Sequence, residues 1–201
     1  MTISYPDLRD TNRFPGFAAI PIEDLDTHEL TPGIDGCLLL EILAYETSPF
    51  LVIGTRSTDL HLVTLRFEGP DRGRALSQCP HLKVGNTIAI MHARKHQFGI
   101  EVYGIRVYEY RQLKIIPTSL DELLELSDEM RTWPLSFAAH QRCHWCRNEP
   151  DQITTCDGCG VIGYCNSGCR AGSWNINKHK EFCKVIQNQN FRSLMIEMGH
   201  E

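Results

Sequence analysis

Seven of the chain's nine cysteines lie between Cys143 and Cys183, and one histidine, His179, is spaced among them as a ligand would be. Thiolates and imidazoles are the donors that zinc prefers, and a structural site takes four of them in a tetrahedron. In order the candidates are Cys143, Cys146, Cys156, Cys159, Cys165, Cys169, His179 and Cys183, enough to saturate two zinc ions. In Cys143/Cys146 and Cys156/Cys159 a two-residue gap lets one tight turn aim both sulfurs at a single ion. Cys165/Cys169 and His179/Cys183 are four apart, as they would be on one face of a helical turn.

Other cysteine chemistries fit less well. Seven thiols cannot all pair as disulfides, and two-residue gaps suit chelation better than the separation that most disulfides require. An iron–sulfur cluster needs four thiolates and gives no reason for His179 or for the remaining ligands. Spacing alone leaves the pairing open. The first four donors could share one ion and the last four the other, or the pairs could alternate.

The pattern Cys143-x-x-Cys146, Cys156-x-x-Cys159, Tyr164-Cys165-x-x-x-Cys169, Trp174, His179-Lys180-x-x-Cys183 resembles the MYND-type zinc finger. That resemblance implies a cross-braced arrangement, with one zinc on Cys143, Cys146, Cys165 and Cys169 and the other on Cys156, Cys159, His179 and Cys183. It also implies a protein-interaction module, since several such fingers take short proline-containing peptides in corepressor or adaptor complexes, on the surface around the tryptophan that Trp174 matches. Asn166 and Arg170 stand where the family usually has Ser and Gln, and the stretch from Trp174 to His179 is longer than usual. These departures bear on the partner surface more than on the metal core. Arg170 replaces a neutral donor and acceptor by a charged donor, which favours an acidic residue beside the proline motif.

The elements that must carry these residues follow from length and composition. A chain of 201 residues has room for one ordinary domain and a small one. Hydrophobic content of 42% with 22% charge is globular, and no apolar run approaches the roughly 18 residues of a membrane helix. The N-terminus has neither the basic start nor the apolar core of a signal peptide, so a soluble protein of a reducing compartment, cytoplasm or nucleus, is expected. Residues 1–139 carry 13 Lys and Arg against 19 Asp and Glu, and residues 140–201 carry 7 against 6. Two zinc ions and seven thiolates bring the C-terminal part to about −2. A chain negative in both halves has no long-range attraction to phosphate backbones, and nucleic acid is not an expected partner.

Four regions are expected: an irregular N-terminal arm over 1–33, a β-domain over 34–117, a helical linker over 118–139 and the finger with a C-terminal helix over 140–201. The arm is punctuated by Pro6, Pro15, Pro21 and Pro32, has acids clustered from Glu23 to Glu29, and carries Phe14, Phe17, Ile20, Ile22 and Leu25, apolar residues able to staple it to the next domain. Strands are predicted at Leu38–Tyr45, Phe50–Thr55, Leu60–Phe67, Thr87–Ala93, Phe98–Val107 and Leu113–Ile116, with a long link after the third. This order resembles an OB-fold, a small antiparallel β-barrel in which that link holds a helix. The fold class is therefore α+β. Cys37 and Cys79 read as a buried strand thiol and a loop thiol. Thr118-Ser119-Leu120-Asp121-Glu122 starts a helix whose Leu120, Leu123, Leu124 and Met130 form a stripe, and Trp133-Pro134-Leu135 ends it. Beyond Trp174 one further helix, carrying His179 and Cys183, is expected.

Catalysis has little support, because eight strong ligands leave no zinc position for water, and the phosphate-binding glycine loop, Gly-x-Ser-x-Gly and His-Glu-x-x-His are all missing from the sequence. His81, His92, His96, His140 and His144 read as surface or loop residues, with His144 able to compete for metal if Cys143 were lost. The expected function is a non-enzymatic adaptor or regulator, for example of transcription, binding partner proteins through the finger, with Trp174 and Arg170 facing the peptide. The alternative is a regulator that contacts single-stranded nucleic acid through the barrel, where His92, Arg94, Lys95, His96, Phe98, Tyr103, Arg106, Tyr108, Tyr110 and Arg111 interleave cations and aromatics.

Overall fold

The computed structural model describes residues 5–23, 36–132 and 142–198. Leu25, most of the acidic run ending at Glu29, Pro32, the Trp133-Pro134-Leu135 stop, His140 and the Arg111 side chain lie outside the described residues. Two compact units emerge, Asp7–Glu125 and a second made of Leu126 onward with Tyr5 and Pro6. The arm from Asp7 therefore belongs with the β-domain, and the end of the linker helix with the finger.

In the first unit the strands are β1 (Cys37–Glu46), β2 (Val52–Ser57), β3 (Leu62–Phe67), β4 (Thr87–Met91), β5 (His96–Gly99), β6 (Val102–Val107) and β7 (Leu113–Ile116), with a short helix α1 (Arg74–Ser77) in the link after β3. They form one barrel-like sheet in the order β5-β6-β3-β2-β1-β4-β7, antiparallel except for the β3–β6 pair. Alternation builds its core: Ile53 on β2, Val63, Leu65 and Phe67 on β3, and Ile105 and Val107 on β6 point to one side with Leu38, Leu40, Ile42, Ile88 and Ile90. Each such side chain contributes about 1.5–3 kcal/mol relative to exposure. Cys37 is buried on β1, and Cys79 sits half-buried in the loop after α1.

The sheet does not close, contrary to the barrel expected from sequence. Its edge strands are β5 and β7, and two local features shape the β5 edge. The run Phe98–Val107 is not one strand: it folds back at Ile100 and Glu101, the latter left-handed at φ 57°, so β5 pairs with β6. Between β4 and β5 the chain leaves the sheet at His92, also left-handed at φ 52°. There the arm takes up the backbone of Lys95, whose N–H donates to Pro21 O at 2.8 Å and whose carbonyl accepts from Glu23 N at 2.8 Å. The third strand also starts late, because Leu60 turns through φ 66°.

Asp59, in the β2–β3 turn, ties the arm down. Its carboxylate accepts from Phe17 N at 3.0 Å and Ala18 N at 2.9 Å, at the start of a 3₁₀ turn, and also from the Ser57 hydroxyl. Gly16 is required at this approach, since a Cβ there would lie 2.5 Å from Asp59 Cγ. Phe14, Phe17, Ile20 and also Leu8 are buried, whereas Ile22 is exposed. Lys95 Nζ donates to Ala18 O at 2.8 Å and lies 5.2 Å from the centre of the Phe17 ring.

The helix α2 (Leu120–Met130) begins with a capping box: Glu122 N donates to Ser119 Oγ at 3.3 Å and Ser119 N to Glu122 Oε2 at 3.4 Å. In the second unit come β8 (Thr154–Thr155), β9 (Gly163–Tyr164), α3 (Ser167–Asn175), α4 (His179–Gln187) and α5 (Gln189–Glu197). The single C-terminal helix expected beyond Trp174 is thus two, divided at Asn188, whose extended backbone ends α4 and whose side chain caps α5 by accepting from Phe191 N at 3.1 Å.

Burial opposes ionisation of Asp59, but the Ser57 hydroxyl and the Ala18 and Phe17 amides outweigh it and bring its pKa to about 2, below its ordinary 3.8. A depressed carboxylate pKa gives stability that is complete above the ordinary value and is lost as pH falls toward the folded one. Asp59→Ala should lower the unfolding free energy of this unit by about 2 kcal/mol at neutral pH and accelerate amide exchange at Phe17 and Ala18. The wild-type advantage should fade between pH 3.8 and about 2. Urea titrations with amide exchange check this; an unchanged midpoint would mean that apolar burial alone holds the arm.

Candidate metal centres

The first two ligand pairs sit in turns of the same design. Arg147 N donates to Cys143 O at 2.9 Å and Gly160 N to Cys156 O at 2.8 Å, closing each turn one residue beyond its second cysteine. The closing residue is left-handed in both, Arg147 at φ 61° and Gly160 at φ 67°. Cys143 N donates to Asn148 O at 2.8 Å, His144 N to Gly163 O at 2.9 Å and Cys156 N to Ile162 O at 2.7 Å, which ties the first turn to β9 and the second to the residue before it.

The later ligands come from helix starts. Only Cys169 of its pair lies within α3; Cys165 precedes the helix, and Asn166 between them is the cap, its Oδ1 accepting from Cys169 N at 2.8 Å. Asn caps as well as the Ser it replaces. Its Nδ2 also donates to Cys165 Sγ at 3.3 Å. His179 and Cys183 lie on one face of α4, and the longer stretch before them ends in a left-handed Lys178 at φ 53°.

These placements bring together Cys143, Cys146, Cys165 and Cys169 in one cluster and Cys156, Cys159, His179 and Cys183 in another, with the donor atoms of each within 4.8 Å of one another. The pairs therefore alternate along the chain. A tetrahedron with Zn–S bonds of about 2.3 Å has S···S edges of about 3.8 Å and S···N edges of about 3.5 Å. Cys146–Cys165 at 3.7 Å, Cys156–Cys183 at 3.8 Å and Cys159 Sγ–His179 Nε2 at 3.5 Å fit those edges, while Cys165–Cys169 at 3.3 Å is tighter. Each cluster suits one zinc ion. The clusters differ in surroundings: all four residues of the second are buried, while Cys146 and Cys165 of the first are accessible to solvent.

Electrostatics point the same way. Burial, then the nearby His144 and Arg170, hold the His179 pKa at about 4, so its imidazole is a neutral donor at physiological pH. Burial resists ionisation of Cys143, but the amides of Cys146, Cys165 and Trp145 prevail and bring its thiol to about 6. Cys183 is pushed up to about 12 by burial and by the sulfurs of Cys159 and Cys156, and Cys169 to about 12 by its bond to Cys165 and by burial. Sulfurs this close resist shared ionisation, which a dication reverses.

Residues 143–183 match the MYND finger family. No curated protein matches the chain. The finger's matched stretch ends at Cys183, yet the structure adds supports beyond it. Gln187 Nε2 donates to Cys183 Sγ at 3.3 Å, and Arg192 on α5 donates to Cys159 O at 2.9 Å and to Ile186 O at 2.6 Å. Sequence reasoning passed over both, since they sit in a polar stretch after the last ligand. His144, read as a surface or loop residue, lies in the first ligand turn and is buried, with burial and Arg147 holding its pKa at about 4. Its Nε2 lies 3.8 Å from Glu129, which also accepts from Arg147 at 3.1 Å.

Trp174 is half-buried, its ring edge-on to His179 at 5.3 Å, and Arg170 is exposed one turn earlier on the same face of α3. Arg170 pairs with Asp157 at 3.4 Å. Trp145 packs flat on α3 at Gly172, where a Cβ would approach its ring to 2.6 Å.

Several of the interleaved cations and aromatics of the β-domain have partners within it, while Tyr103 and Tyr108 stay exposed. Arg106 donates to both oxygens of Glu23 at 3.0 Å and lies 4.9 Å from the centre of Tyr108. His96, read as a surface or loop residue, starts β5, is half-buried and donates to Glu23 at 2.9 Å, and its ring meets Phe98 edge-on at 4.8 Å. Arg66 stacks 4.5 Å from Phe98, and Tyr110 tilts against Phe67 at 6.4 Å. Burial raises the Glu23 pKa, but Arg106 and then His96 lower it overall.

Alternating clusters predict pairwise metal loss. Cys143→Ala and Cys165→Ala should weaken the same zinc ion, and Cys156→Ala the other, so that Cys143→Ala with Cys156→Ala empties both while Cys143→Ala with Cys165→Ala empties one. Native mass spectrometry reads the stoichiometry. One ion retained by the Cys143/Cys156 double variant would instead indicate sequential pairing.

Proposed function

We propose that this chain is a non-enzymatic intracellular adaptor or regulator that binds a partner protein through its MYND finger. MYND fingers are generally zinc-binding protein-interaction modules, and the match at 143–183 carries that general role to this segment. With four protein donors for each of two ions, no coordination position is left for water or substrate, so zinc here organises a surface and activates nothing.

The observation that carries the reading is the Arg170/Trp174 face of α3. A partly exposed indole fixed edge-on to a metal-bound ring is a rigid aromatic anchor, of the kind that dominates peptide interfaces. The occupant is a proline-containing peptide whose ring lies against Trp174, with an Asp or Glu nearby to reach Arg170. That acid competes with Asp157, a highly exposed partner of modest strength. A regulator of transcription is one setting for such an adaptor. The internal pairing of Arg106 and His96 favours this reading over contact with nucleic acid through the sheet.

Titration of acidic and neutral proline peptides against wild type, Trp174→Ala and Arg170→Gln, with zinc content measured in each, tests the proposal. Trp174→Ala should weaken binding about tenfold, roughly 1.4 kcal/mol, and Arg170→Gln should abolish the preference for acidic peptides. Full affinity in a metal-replete Trp174→Ala chain contradicts it.

A further inference from the structure

The second cluster contains a polar chain that metal ligation alone does not require. His179 is wholly buried, and its two ring nitrogens face different partners: Nε2 lies 3.5 Å from Cys159 Sγ, while Nδ1 meets the hydroxyl of Tyr164 in a short hydrogen bond. Tyr164 is itself buried on β9. Ser173 is fully buried on α3, and its Oγ has no hydrogen-bond partner among the described residues.

Donor and acceptor counting gives these contacts a direction. An imidazole that offers the Nε2 lone pair to a metal must carry its proton on Nδ1, and that N–H needs an acceptor when buried. Tyr164 Oη supplies one. The phenol O–H, its own oxygen so engaged, must donate elsewhere, and Ser173 Oγ is the buried oxygen beside it. The count therefore runs from His179 Nδ1–H to Tyr164 Oη, with the unpaired Ser173 Oγ left as an acceptor for the phenol O–H. The three side chains come from α4, β9 and α3, while Trp174 packs edge-on against the same imidazole at 5.3 Å.

We propose that Tyr164, backed by Ser173, is a positioning residue for the second metal site: it fixes the His179 tautomer and ring orientation so that Nε2 faces zinc, and thereby slows release of that ion. The proposal rests on two-zinc occupancy. Polar partners behind a ligating histidine raise its basicity and typically contribute about 10- to 100-fold in metal affinity. The first cluster, all cysteine and partly open to solvent, contains no imidazole to orient.

The test uses the zinc-loaded full chain. With ¹⁵N-labelled histidine, two-bond ¹H–¹⁵N correlation should show His179 metallated at Nε2 and protonated at Nδ1, its signals assigned by their loss in His179→Cys, which keeps a four-ligand site. In Tyr164→Phe the Nδ1–H should exchange with water at least about tenfold faster, and one of the two zinc ions should pass to excess chelator about tenfold faster while the other is unaffected. Ser173→Ala, which leaves the phenol in place, should shift both readouts in the same direction and covers the case in which Tyr164→Phe fails to fold. Metallation at Nδ1 overturns the proposal, as do exchange and release rates in the variants within twofold of wild type. A wild-type chain holding fewer than two zinc ions by native mass spectrometry would refute the two-zinc reading, and the proposal with it.

Discussion

Ligand pairs that alternate along the chain impose the central constraint on the C-terminal unit. Neither zinc can be filled by consecutive residues, so binding the first ion requires Cys143 and Cys146 to meet Cys165 and Cys169 across the intervening turn and β8–β9 pair. Closing that loop brings the second cluster's residues toward one another in the same step. Structural zinc contributes on the order of 10–16 kcal/mol per site, more than a core this small can supply. The apolar side chains buried here, Val161, Ile162, Phe182, Val185, Ile186, Phe191, Leu194 and Met195, come mostly from α4 and α5 and from the stretch before β9. They complete the packing that the ions organise.

Around the ions the chain meets the electrostatic cost of crowded sulfurs with directed N–H groups. Amides of the turns reach Cys143 and Cys156, the Asn166 side chain reaches Cys165, and Gln187 reaches Cys183. The departures from the usual MYND pattern are absorbed locally. Asn166 keeps the cap, and the longer approach to His179 ends in the left-handed Lys178. Arg170 is different, since it changes what the surface offers to a partner and leaves the clusters as they are.

Metal donors were legible in the sequence because their chemistry is carried by residue type and short spacing, which survive without knowledge of the fold. Strands β1, β2, β4 and β7 were legible for a similar reason, since apolar runs bounded by turn residues mark them. Less visible were features made by residues that break no pattern. Glu101 turns the chain between β5 and β6 without the Asn-Gly or Asp-Gly signal of a tight hairpin, so Phe98–Val107 read as one strand. Asn188 lay within a polar stretch that read as the solvent face of one helix, although it caps another. Asp59 reaches the arm across some forty residues, and Tyr164 on β9 meets a ligand on α4; no periodicity encodes such contacts.

Two units with different sources of stability follow from this division: a sheet whose core is apolar and a finger whose core is metal. Hydrogen exchange measured by mass spectrometry on the zinc-loaded chain, before and after a strong chelator, tests that claim most directly. Protection should collapse across residues 143–198 while Cys37–Glu46, Leu62–Phe67 and Thr87–Met91 keep theirs. Protection of 143–198 that survives complete zinc removal would contradict the account, as would loss that spreads equally through the sheet.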